Sequence, residues 1–353
     1  MLEDVSDKPQ AGSAVLEAVV RRGAFLTLNR PEHGNRLTVE MRRSLTTVLQ
    51  KFDRDREIYA LVLDAAPPLN PVAGQDAPFC LGDDAADWAE AVAGGESRVR
   101  TALSQAAGSI WQIDRFGKPY ITFLSGPACG AGVGLMLHGT HSVACESATL
   151  AVSDIYGGRV IGSGLSWVLS RLAGHLGIYL ALTGQAIDRR LALDAGLITH
   201  AIESRHLPAV RERLADADPV DQVLDDLHSE PGVSGLLPYL EIVERCFSAE
   251  SPDAIIARLE AIRGSAADWS REVANGMRGA PPLLLAITQQ LLTTHRPPDL
   301  RSALILEFRT ALRAVGPEMN VKAGSSKDLS AIFGPAGDGE LELPPEVRPP
   351  SIS

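Results

Sequence analysis

Residues 118–137 read KPYITFLSGPACGAGVGLML, and this stretch limits the possible folds more than any other. A mostly apolar run from Tyr120 through Leu124 is followed by Gly126, Pro127, Gly130, Gly132 and Gly134. A membrane helix needs ~20 apolar residues in a row, so residues 121–137 are too short and too often interrupted to span one. They read instead as a buried strand, a turn, and a helix packed closely through its small residues.

The surroundings repeat this alternation. Residues 24–28 read as a strand that breaks at Asn29-Arg30-Pro31. Thr38 is placed to cap a helix whose apolar stripe is Met41, Leu45, Val48, Leu49 and Phe52. A short strand at 59–63 and a Pro- and Ala-rich loop at 65–78 complete the first unit. The second runs from 120–124 through the glycines to apolar segments at 142–145 and 149–152. Strands and helices in this order predict a layered α/β fold. From about Gly164 the pattern turns helical, with Leu165, Val168, Leu169 and Leu172 in one stripe, Asp188 as a start, and Gly184 and Gly196 as stops. The sheet is expected to be complete by that point. Further helices are predicted after His206, one opening at Ser251-Pro252 and the last carrying Leu300, Leu304, Ile305, Phe308 and Leu312. The expected organisation is an α/β core over 1–205, a helical region over 206–333, and a poorly ordered tail over 334–353.

Composition narrows the function classes. A formal charge of -11 opposes broad attraction to nucleic acid or to anionic membrane. Cys80, Cys129, Cys145 and Cys246 form no C-x-x-C pair and no zinc-finger spacing with His, so reduced thiols and no metal site are expected. The polar, acidic start MLEDVSDKPQ has neither signal-peptide nor transit-peptide character, and a cytoplasmic location is the expectation.

Three readings of Gly130-Ala131-Gly132-Val133-Gly134 stand side by side. One is close helix packing. Another is a dinucleotide fingerprint, which lacks its last glycine because Leu135 stands there. The third is an oxyanion hole built from backbone amides. A second small-residue turn, Phe79-Cys80-Leu81-Gly82-Asp83-Asp84, supports the third reading, although Asp84 or Asp87 could simply cap the next helix. Ser163 lacks the G-x-S-x-G spacing of a nucleophile elbow, and His138, on an apolar stretch, reads as a hydrogen-bonded core histidine.

Three segments in succession, LTLNRPEHGNRL from Leu26, PFCLGDD from Pro78 and KPYITFLSGPACGAGVGL from Lys118, resemble the signatures of the crotonase superfamily. The runs RLAGHLGIYLALTG, AGLITHAI, CFSAESPDAIIARL and SALILEFRTA extend the likeness, toward the 3-hydroxyisobutyryl-CoA hydrolase branch. The resemblance implies a crotonase-like spiral of ββα units followed by a helical C-terminal region. It also implies an acyl-CoA thioester hydrolase whose coenzyme A arrives as part of the substrate, with no separate cofactor, and a homo-oligomer, trimer or hexamer.

Carried over residue by residue, it places the oxyanion donors at the amides of Leu81 and Ala131 and the catalytic carboxylate at Asp154. Coenzyme A would run past Arg36, Phe79 and Cys80, with Gly82, Gly130 and Gly162 as further substrate-binding positions; Tyr156 either lines the acyl pocket and donates a hydrogen bond or simply packs. Gly134 stands where hydratases place a catalytic Glu. Gly162 and the Gln105-Ala106 pair stand where the hydrolase has further acids, and PEMNVKAGSS departs from an acidic segment near the end. With these acids missing, two other readings stay open: a hydratase, isomerase or specialised biosynthetic crotonase, and a CoA-binding protein without turnover.

Overall fold

The computed structural model describes residues 13–68, 77–315, 329–333 and 340–344. Nine strands occur among them: β1 (Val15–Val20), β2 (Gly23–Leu28), β3 (Ala60–Ala65), β4 (Tyr120–Leu124), β5 (Ala128–Cys129), β6 (His141–Ala144), β7 (Thr149–Ala151), β8 (Ile187–Asp188) and β9 (His200–Ala201). They form a six-stranded sheet in the order β1-β2-β3-β4-β6-β9 and a three-stranded sheet in the order β5-β7-β8. Only β1 runs antiparallel to its neighbour in the larger sheet. The central strands are buried on both faces, as their continuous apolar sequences require.

The first four helices are α1 (Val39–Arg54), α2 (Ala85–Ala93), α3 (Glu96–Asp114) and α4 (Ala131–Leu137). Helix α1 turns Met41, Leu45, Leu49 and Phe52 inward, and Thr38 Oγ1 accepts from Met41 N at 3.1 Å to cap it. The other face of the sheet is covered by helix Leu207–Ala215, where Val210 and Leu214 join Phe25, Val62 and Phe123 in a separate apolar cluster. The crotonase-like α/β arrangement and its helical C-terminal region are therefore both present.

The sheet does not end before Gly164, contrary to expectation. β9 extends the large sheet beyond β6, and β8 closes the small one. Of the 334–353 stretch, residues 340–344 are described, and there Leu341 and Leu343 are buried while Glu340 pairs with Arg309 on helix Leu300–Val315. Part of the 65–78 loop and all of PEMNVKAGSS lie outside the described residues. No described helix is long and apolar enough to cross a membrane.

Candidate active site

The two small-residue turns meet. Cys80 bridges Ala128 in parallel, and Cys129 N donates to Cys80 O at 2.8 Å. A side chain on Gly132 would overlap the Cys80 carbonyl, so glycine is what lets α4 begin against this turn. A Cβ on Gly130 would sit 2.9 Å from Asp154 Oδ2. The missing side chain thus brings a carboxylate up to the residue preceding Ala131. Among the described residues, the Ala131 and Gly82 amides donate to no protein acceptor.

Asp154 opens a single 3₁₀ turn, Asp154–Gly157, which ends at Gly158 in the left-handed region (φ 73°). Arg159 N then donates to Asp154 O at 3.0 Å, folding the chain back so that the Arg159 side chain returns to the carboxylate. Asp154 is 8 % exposed, its Oδ2 has no hydrogen-bond partner, and its Oδ1 lies 3.8 Å from Arg159 Nη2. Loss of water pushes its pKa up, Arg159 draws it down and Asp83 raises it again, leaving it at about 6.

This carboxylate lines a cavity of about 90 Å³, ample for several waters. Asp83, Arg159 and Glu307 share its polar end, and apolar residues of α3 and of helix Leu300–Val315 form its other walls. Asp83 accepts from Arg42 at Oδ1 and pairs with Arg159 at Oδ2 (2.9 Å). Desolvation works against the Asp83 anion, but the two guanidinium groups prevail and hold it below the ordinary carboxylate value. Glu307 accepts from Gly164 N (2.8 Å), Ser166 N (2.9 Å) and Ser166 Oγ (2.6 Å). Burial outweighs these bonds and raises its pKa to about 7.

Of the residues named from the sequence, Asp154 and Gly162 line the cavity, and Gly130, Gly82 and Ala131 gather beside it. The rest of the expected set differs. The Leu81 amide donates to Gly34 O at 3.0 Å, because the bridge between Leu37 and Asp83 holds the two loops together. It is thus engaged, where an open oxyanion donor was expected. Phe79 and Cys80 are fully buried, and their amides both reach Pro127 O, so their side chains offer no surface to coenzyme A. Arg36 turns its guanidinium onto Leu81 O. Tyr156 is 40 % exposed and donates to Leu182 O away from the cavity. His138 is a core histidine, bonded to Ser163 O and stacked near Trp167, with burial lowering its pKa to about 4.

A second carboxylate on α4 is excluded by shape. A Cβ on Gly134 would meet Ser163 Cβ at 2.5 Å and Ser163 O at 2.9 Å. A Cβ on Gly162 would meet nothing within 4 Å. Sequence reasoning missed Arg42, Asp83, Arg159 and Glu307. Glu307 had a usable signal, a lone acid on the apolar stripe of Ala303, Leu304 and Phe308.

A mainly parallel sheet with two small-residue turns meeting beside a buried carboxylate defines an enzyme of the crotonase superfamily. The chain belongs to the enoyl-CoA hydratase/isomerase family, which matches residues 23–327. It is 29 % identical over 310 residues to the mitochondrial 3-hydroxyisobutyryl-CoA hydrolase of Danio rerio, covering 85 % of this chain and 78 % of that protein. For the Homo sapiens enzyme of the same name the identity is 30 % over 300 residues, covering 80 % and 73 %. Among solved structures, an enoyl-CoA hydratase from Rhodobacter sphaeroides superposes with a TM-score of 0.81 at 26 % identity, covering 94 % of this chain and all of that one (100 %). A carnitinyl-CoA dehydratase from Mycobacterium thermoresistibile gives 0.82 at 23 % identity, with 94 % and 99 % covered, a likeness of fold.

Proposed function

We propose that the chain hydrolyses an acyl-CoA thioester, with Asp154 as the base that activates water. The observation that carries this reading is the buried Asp154 in the lining of a cavity with room for water, its Oδ2 without a hydrogen-bond partner. A base works best when its pKa lies near the working pH, and the Asp154 value of about 6 suits that role. Asp154 takes a proton from water as the oxygen attacks the thioester carbonyl. The same proton then goes to the departing sulfur as the C–S bond breaks, giving the free acid and the CoA thiol.

Negative charge builds on the carbonyl oxygen during attack, and an amide aimed at it is commonly worth ~2.7–4 kcal/mol. The open Ala131 amide is one donor in this proposal. Leu81 serves as the second once substrate displaces its bond to Gly34 O. Hydrolysis is favoured over hydration because Ser163 fills the space a second acid at Gly134 would need, and because relatives named as hydrolases match most of the chain. The four free cysteines fit a reducing compartment.

The test offers purified enzyme a panel of hydroxyacyl-, enoyl- and aryl-CoA esters while free thiol and product mass are followed. Thiol release is expected, falling by roughly 10²–10⁴-fold in Asp154→Asn. Acyl groups that change mass with no thiol released would establish a hydratase or isomerase instead. Binding with no turnover of any ester would leave a CoA-binding protein.

A further inference from the structure

We propose that Arg159 is a positioning residue: wedged between Asp83 and Asp154, it keeps the Asp154 carboxylate ionised while leaving Oδ2 without a partner. The role rests on the reading of Asp154 as the base. Arg159 Nη1 is fixed on Asp83 Oδ2 at 2.9 Å, and the guanidinium carbon lies 5.8 Å from the centre of the Trp88 ring. Its other end, Nη2, stops 3.8 Å from Asp154 Oδ1. A tight two-pronged pair would occupy both carboxylate oxygens and bind the anion too firmly for it to take a proton. One long contact supplies charge and leaves Oδ2 unpaired.

Charge balance assigns this work to Arg159 rather than to Arg42. Arg42, 2 % exposed, is committed to Asp83 and to Ser109 Oγ at 3.1 Å. Two arginines and two aspartates make the cluster neutral when Asp154 is ionised, and without Arg159 it would carry one negative charge. The other groups facing Asp154 do not compensate. Glu307, across the cavity on helix Leu300–Val315, opposes the Asp154 charge as an anion, and the Cys129 thiol on β5, its pKa pushed up by burial, supplies no positive charge. Neutralising Arg159 must therefore raise the Asp154 pKa and move the acid limb of activity to higher pH.

The test follows Asp154 directly in the full chain, as the protonated-carboxyl infrared band that disappears in Asp154→Asn. In Arg159→Met the midpoint of that band should rise by about 1 unit or more. The acid limb of kcat/KM should move with it, lowering kcat/KM about tenfold at a pH below the limb, while KM well above the limb stays near its original value. Arg159→Lys should keep the midpoint close to the wild-type value, and Arg159→Gln makes the same test as Met should Met not fold. A midpoint unmoved by Met or Gln, or moved equally by Lys, overturns the role. An inactive Asp154→Asn together with an unmoved midpoint removes only the part given to Arg159. Full turnover by Asp154→Asn removes the base itself, and with it the positioning role.

Discussion

Asp154 and Glu307 sit where the neutral acid is favoured, and stability should record this. The folded pKa of Asp154 is about 6 against an ordinary value of 3.8, and that of Glu307 about 7 against 4.5. A raised carboxyl binds its proton more tightly in the folded chain, so its contribution to stability is lost as pH climbs from the unfolded to the folded value. For Asp154 this amounts to roughly 3 kcal/mol. Asp154→Asn should therefore be more stable than the wild type at pH 8 and nearly equal to it at pH 4, as read from urea midpoints. An equal difference at both pH values would contradict the buried, ionised aspartate. Glu307→Ala leaves the Gly164 and Ser166 donors without an acceptor and should cost about 2–5 kcal/mol in the same assay. Asp154 was legible in the sequence only through the family resemblance, since an Asp before two glycines is otherwise an ordinary turn former. Its partners were not, because Arg42, Asp83, Arg159 and Glu307 come from four separated segments that only the fold assembles.

At the scale of elements, what the chain announces locally is what the structure repeats. The Thr38 cap bonds Met41 N, Ser251 bonds Ala254 N ahead of Pro252, and Asp188 bonds Leu191 N, each within three residues of the cap. β8 and β9 were not legible, because two residues carry no periodicity and their pairing is decided by neighbours far along the chain. The same limit applies to Gly134 and Gly162, which look alike in sequence and differ in surroundings. Gly134→Ala forces a methyl group into Ser163 and should destabilise by about 1–3 kcal/mol. Gly162→Ala points into open space on a backbone without positive φ, and should be neutral or stabilising by up to about 1 kcal/mol. Thermal unfolding of the two variants side by side decides this. A harmless Gly134→Ala would reopen the place for a second acid on α4.

For the whole molecule, the apparent division at residue 205 does not divide the core. One apolar cluster takes in Leu26, Leu28 and Leu63 from the sheet together with Val243, Phe247, Ile287 and Leu291 from the later helices. Tyr179 packs edge-on against Phe247 at 5.3 Å, and Glu307 on the last long helix holds the backbone at Gly164 and Ser166. Because helix Leu300–Val315 is also a wall of the cavity, the helical region completes the site and shares the core beneath it. Such a chain should open as one unit. Native-state hydrogen exchange in rising urea should bring the slowest amides of β3, β4 and helix Pro282–Leu292 onto a common line, with one free energy and one slope. A bound CoA ester at a hundredfold excess over its Kd should then raise that shared line by about 2.7 kcal/mol in all three elements. Separate lines, with only the sheet responding to ligand, would mean that the helical region is a unit of its own and that the cavity wall opens independently of the carboxylate it covers.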